Sequence, residues 1–168
     1  MLIDREIYDL SEQLGTQLKA NGMVLATAES CTGGWISQAV TMVPGSSNWF
    51  DRGFVTYTNQ SKHEILGVRS STLDAEGAVS ELTVREMAEG ALRHSHAHCS
   101  VAVSGIAGPD GGSASKSVGT VWLAIALKDG ETRAWRLQLQ GDRFAVRRET
   151  VLASLRALIG ELRRPQSA

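Results

Sequence analysis

A chain of 168 residues, 42% hydrophobic and 21% charged, is long enough to bury a sizeable core, roughly 70% of the surface its unfolded form would expose. Its 17 basic and 18 acidic side chains give a net charge of −1, which argues against a broad basic surface for duplex nucleic acid. No apolar run approaches the roughly 18 residues of a membrane-spanning helix, and the opening Met1-Leu2-Ile3-Asp4-Arg5-Glu6 is too charged for a signal peptide. Cys31 and Cys99 show no CxxC spacing and fit free thiols, so a cytoplasmic, single-domain protein is expected.

Ile3, Ile7, Leu10, Leu14 and Leu18 recur at three- and four-residue intervals, the period of an amphipathic helix, which Asn21-Gly22 would end. A strand is expected over 23–28, then a glycine-bearing turn and a helix over 33–41. After the turn cluster at Pro44-Gly45, Phe54, Val55 and Tyr57 favour a strand over 52–58, and Asn59 is placed to cap a short helix carrying Lys62, Ile65 and Leu66. A longer helix over 80–94, with Ser80 as its cap, leads into a strand over 99–104 and the glycine-rich stretch 105–112. Strands over 119–127 and 132–139 flank Asp129-Gly130, a hairpin signal, and Asp142 is placed to cap a final helix. The tail 164–168 is expected to fray. Helices alternating with strands early and a hairpin late predict an α/β, three-layer sandwich, with a mixed sheet of about five strands covered by helices on both faces. In such sheets ligands sit beyond strand C-termini, where the loops after Ala28, Thr58 and Ser104 would open.

The segment Ala28-Glu29-Ser30-Cys31-Thr32-Gly33-Gly34 places a hydroxyl, a thiol and two glycines between a strand end and a helix start. Exposed N–H groups there suit a bound phosphate or the oxyanion formed when a serine attacks a carbonyl. Ser30 has two readings, a helix cap or a nucleophile. Cys31 competes as nucleophile, although a small buried side chain explains it equally well. Tyr57 and Lys62 are spaced to reach the same crevice, and a Ser-Lys or Ser-Tyr-Lys hydrolase would use them to take the serine proton. Such a lysine must fall from about 10.4 toward about 7–8. The 105–112 loop lacks a Walker lysine and a GxGxxG pattern, leaving phosphate or ribose binding by its backbone and a structural turn both open. Arg143 and Arg147, one helical turn apart, have the spacing of a phosphate clamp or of a solvated face. His94, His96 and His98 alternate across a helix–strand junction, a poor pattern for a metal site, and the four tryptophans read as packing residues.

Taken together, Thr27-Ala28-Glu29-Ser30-Cys31-Thr32-Gly33-Gly34, Pro44-Gly45-Ser46-Ser47, Gly53-Phe54-Val55-Thr56-Tyr57-Thr58-Asn59, Lys62, Gly77-Ala78-Val79-Ser80, Ser104 to Gly112 and Val118-Gly119-Thr120-Val121 resemble the CinA C-terminal domain family, specifically its stand-alone nicotinamide-nucleotide amidohydrolases of PncC type. The likeness covers nearly the whole chain, with one departure: Ser117 stands where the pattern has proline. The resemblance implies deamidation of nicotinamide mononucleotide, a small-molecule substrate, to nicotinate mononucleotide in pyridine-nucleotide recycling. Ser30 would be the nucleophile with Lys62 and Tyr57 assisting, and backbone N–H groups at Thr32 and Gly33 would hold the oxyanion. Gly34, Gly105, Ala107, Gly108 and Arg143 would contact substrate, no cofactor or metal would be needed, and a homodimer is expected. The alternative is a non-catalytic domain that senses pyridine nucleotides or binds a partner in competence or DNA-damage responses.

Overall fold

The computed structural model describes residues 4–164, in which five strands form one mixed sheet of order β2-β1-β3-β4-β5. The strands are β1 (Leu25–Glu29), β2 (Phe50–Val55), β3 (Cys99–Gly105), β4 (Thr120–Leu127) and β5 (Thr132–Gln138). The helices are α1 (Arg5–Ala20), α2 (Trp35–Thr41), α3 (Asn59–Leu66), α4 (Ser70–Glu76), α5 (Glu81–Arg93) and α6 (Arg143–Leu162). β1 pairs in parallel with both β2 and β3, while β3, β4 and β5 run antiparallel in sequence. The expected mixed sheet, its five strands and its two helical layers are all present.

The two faces of the sheet differ because side chains alternate along each strand. Leu25, Val101, Val103, Val121, Leu123 and Ile125 pack in one cluster with α1, α2 and α6. On the opposite face Ala26, Ala28, Ala102, Ala124 and Ala126 present a low surface to α5, against which α3 and α4 pack. Short side chains there let α5 lie close, so that the Ser100 hydroxyl donates to the Ala88 carbonyl at 2.6 Å. Gly90 of α5 meets the end of α3, where an added Cβ would stand 2.0 Å from the Leu66 carbonyl oxygen, a contact only glycine permits.

The chain leaves β1 through α2 on one face and returns to β3 through α5 on the other. The connections therefore diverge beyond the C-terminal end of β1, the switch point where α/β sheets form crevices.

Several boundaries differ from expectation. β2 stops at Val55 because Thr58 turns out to begin a capping box, exchanging hydrogen bonds with Ser61, so Thr58 rather than Asn59 caps α3. Helix α4 was not expected, and its short sequence carries no clear apolar period. Glu86 of α5 secures its start by accepting the Arg69 N–H, the Arg69 guanidinium and the Thr72 hydroxyl. Burial alone would raise the Glu86 carboxyl, but these donors outweigh it and hold the group below its ordinary value. Ser80 and Asp142 cap α5 and α6 as expected. Ile3 and the tail beyond Arg164 lie outside the described residues.

Candidate active site

Ser30 directly follows β1, and its N–H donates to the Val103 carbonyl at 3.1 Å, continuing the β1–β3 ladder by one residue. Alternation then places Ser30 on the same face as Ala26 and Ala28, toward α3. Lys62, on the first turn of α3, points back at it: Nζ lies 3.0 Å from Ser30 Oγ and 2.8 Å from the Thr56 carbonyl oxygen. Lys62 is 1% exposed and Ser30 8% exposed. No carboxylate forms an ion pair with Lys62 among the described residues, and burial draws its pKa down from 10.5 to about 8. A buried amine with so weak a hold on its proton, hydrogen-bonded to a hydroxyl, can accept that hydroxyl's proton.

Ser30 is not the cap of α2. That work falls to Glu29, whose side chain points to the opposite face of the sheet and runs beneath the helix start. Its carboxylate accepts the N–H groups of Ile36 (2.8 Å) and Ser37 (2.9 Å) and the hydroxyls of Thr32 (2.6 Å) and Ser37 (2.8 Å). Between Ser30 and α2 the backbone turns through Gly33 (φ 60°) and Gly34 (φ 99°), a left-handed pair that glycine adopts without strain. The Gly33 N–H closes this turn by donating to the Ser30 carbonyl at 3.0 Å.

The two arginines of α6 do not converge into a clamp. Arg143 donates to the Gly108 carbonyl and to the Tyr57 phenol oxygen, both at 2.8 Å. Arg147 turns the other way, donating from Nε to the Cys31 carbonyl (3.0 Å) and from Nη2 to the Thr32 carbonyl (3.1 Å). Its guanidinium lies 5.6 Å from the centre of the Trp35 ring, which in turn packs against Phe144. Side-chain length explains the split, since neighbours on a helix face can still reach acceptors on opposite sides.

Tyr57 is 59% exposed and its hydroxyl is engaged with Arg143; it has no hydrogen bond to Ser30 or Lys62 among the described residues. Thus Ser30 and Lys62 come together directly, whereas Tyr57 joins Arg143 and the Gly108 backbone in a second group. Gly105 ends β3, and Ala107 is buried in the loop that follows. Lys116, in the serine-rich stretch 113–117, donates across to the Glu76 carbonyl at 2.7 Å. The histidines separate: His94 ends α5, His96 is exposed, and the His98 ring accepts the Val24 N–H. Sequence reasoning missed Glu29 and the actual acceptors of Arg147. A carboxylate at the end of a largely apolar strand, one residue before Ser30, was the available signal for Glu29.

Cys31 is buried, and burial pushes its thiol up to about 12. So little thiolate exists near neutral pH that the thiol is a poor nucleophile. Cys31→Ala is expected to retain at least about half of the hydrolytic rate, measured as product formation at saturating substrate; a loss of about 10²-fold or more would return the thiol to the chemistry.

A doubly connected α/β sheet with a buried serine–lysine pair at its switch point defines a class of fold and site in which acyl transfer is chemically feasible. Residues 7–162 match the family model described as CinA C-terminal domain, and the chain belongs to that family. It is 54% identical over 157 residues to a protein of Shigella flexneri named nicotinamide-nucleotide amidohydrolase PncC, covering 94% of this chain and 95% of that one. A Pseudomonas putida protein of the same name is 51% identical over 154 residues, covering 91% and 95%. Among solved structures, the competence/damage inducible protein CihA from Agrobacterium tumefaciens superposes with a TM-score of 0.92 at 44% identity, covering 98% of this chain and 99% of that one. No helix among the described residues is long and apolar enough to cross a membrane.

Proposed function

We propose that this chain is an amidohydrolase that converts nicotinamide mononucleotide to nicotinate mononucleotide and ammonia, in the cytoplasm, within pyridine-nucleotide recycling. The observation that carries the mechanism is the buried contact between Ser30 Oγ and Lys62 Nζ. The names of the Shigella and Pseudomonas relatives support the substrate.

In this reading neutral Lys62 takes the Ser30 proton as Oγ bonds to the carboxamide carbon. The carbonyl π electrons move to oxygen, giving a tetrahedral oxyanion. Collapse of that species breaks the C–N bond, and the nitrogen leaves as ammonia with the proton held on Lys62. The remaining ester is hydrolysed when Lys62 takes a proton from water; hydroxide adds to the carbon, and Ser30 Oγ departs with that proton. The substrate's pyridinium charge disfavours an ammonium nearby and helps keep Lys62 neutral. The Thr32 N–H stabilises the oxyanion, whereas the Gly33 N–H, expected beside it, is taken up by the Ser30 carbonyl. Arg143, held at the Tyr57 hydroxyl and Gly108 carbonyl, is placed to exchange those neutral acceptors for the phosphate, with the Gly34, Gly105 and Ala107 backbone lining the path. Tyr57 then acts through Arg143 and the substrate rather than on the serine proton.

The test is ammonia release from purified protein with nicotinamide mononucleotide, its riboside and free nicotinamide. Turnover of the mononucleotide about 10²-fold above the other two in kcat/KM is expected, since a charged phosphate contact contributes up to about 3 kcal/mol. Absence of release from folded protein would overturn the assignment in favour of nucleotide sensing or another amide.

A further inference from the structure

We propose that Arg147 is a positioning residue of the reaction: by holding the carbonyls of Cys31 and Thr32, it aims the Thr32 N–H at the oxyanion formed on Ser30. The inference rests on the serine-nucleophile reading above. In a planar trans peptide the C=O and the following N–H point in opposite directions. Arg147 approaches from α6, which packs on one face of the sheet, and draws the Cys31 oxygen to that side. The Thr32 N–H of the same peptide is thereby turned away from α6, toward the face on which Ser30 meets Lys62 of α3. The next peptide unit is also fixed, because the Thr32 oxygen accepts from Arg147 and from the Trp35 N–H, while the Gly33 N–H is used on the Ser30 carbonyl.

Thr32 is fully buried, and its N–H has no acceptor among the described residues. Buried backbone donors are nearly always paired, so this one has a partner to receive. An oxyanion would provide it, at a site whose geometry is set before substrate arrives. The Thr32 side chain is secured separately, its hydroxyl bonded to Glu29 beneath the turn. The turn is thus held at two points, its helix start by Glu29 and its carbonyls by Arg147. Arg147 also lines an open cavity of about 680 Å³ shared with Trp35 and Phe144, so small solutes can reach the position of its guanidinium.

The decisive experiment compares Arg147→Ala and Arg147→Lys with wild type in steady-state turnover of nicotinamide mononucleotide, in affinity for nicotinate mononucleotide, and in rescue by millimolar guanidinium chloride. The alanine variant is expected to lose about 10²-fold in kcat, as removal of an oxyanion donor does, with KM and nicotinate mononucleotide affinity within about threefold. Guanidinium should restore part of that kcat, and ammonium should not. The lysine variant, with one charged head in place of a fork, should fall between. A kcat within about threefold of wild type in the alanine variant, or a loss of kcat matched by equal loss of nicotinate mononucleotide affinity and insensitive to guanidinium, overturns the assignment while leaving the serine mechanism standing. If wild type releases no ammonia, the parent reading fails and Arg147's role fails with it.

Discussion

Ser30→Ala should abolish ammonia release from nicotinamide mononucleotide, lowering kcat by about 10⁴-fold or more while substrate affinity stays within a few-fold of wild type. The substitution removes a single oxygen from a position already 8% exposed, so the sheet and its helices have little reason to rearrange. Lys62 keeps its hydrogen bond to the Thr56 carbonyl, and the stability change should stay within about 1 kcal/mol. Arg143, Tyr57 and the 105–108 backbone are untouched, so binding should persist. Isothermal titration with nicotinamide mononucleotide beside an ammonia assay separates the two quantities. Substantial steady-state turnover in this variant would remove Ser30 as nucleophile.

The second large effect concerns Lys62 and has two signs at once. Lys62→Met should reduce kcat by about 10³-fold or more, because no other amine lies against Ser30 Oγ among the described residues. The same change should make the protein more stable. The gap between about 8 and the ordinary 10.5 corresponds to roughly 3 kcal/mol of disfavoured charge in the folded state. Loss of the partner to the Thr56 carbonyl offsets about 1 kcal/mol, leaving a net gain near 2 kcal/mol at pH 7. Its pH dependence follows from linkage. Below about 8 the lysine is protonated in both folded and unfolded chains, and the full penalty applies. Between about 8 and 10.5 the unfolded chain holds the extra proton, so wild-type stability rises with pH and the advantage of the methionine variant shrinks. Urea unfolding at several pH values measures this directly. An advantage that grows with pH would contradict a depressed lysine pKa. In wild type, kcat/KM should climb about tenfold per pH unit below about 8 and level off above it, the profile of a base that works when neutral.

Local periodicity made α1, α5 and α6 legible, and alternation with turn chemistry located the five strands to within a few residues. Helix α4 escaped because its stability is tertiary: Glu86, on a different helix, supplies the acceptor for its first turn. Ser30 and Lys62 were each identifiable, but their contact depends on β2 lying beside β1 and carrying α3 over the strand end. Spacing of 32 residues says nothing about that. At Arg143 and Arg147 helical spacing left a phosphate clamp and a solvated face both open, and it could not reveal what either side chain holds. Their acceptors, a loop carbonyl with a phenol in one case and two turn carbonyls in the other, come from segments distant in sequence. Motif resemblance supplied the family, and the comparisons agree with it. It could not supply the direction in which Glu29 points, since that follows from strand alternation together with the placement of α2.

The bond from Arg147 to Cys31 joins positions 116 residues apart, and Arg148 beside it grips Asp4 and Glu6 near the opposite terminus. A nascent chain emerging from the ribosome would therefore carry Ser30 and Lys62 long before it carries the helix that grips the turn between β1 and α2. On the reading in which Arg147 orients the Thr32 N–H, competence for chemistry waits until α6 has been made and docks against α1. In the folded protein the same arrangement would make hydrolysis a sensitive gauge of that docking. On that reading, partial release of α6 would silence hydrolysis while the β1–β3 ladder beneath Ser30 still held.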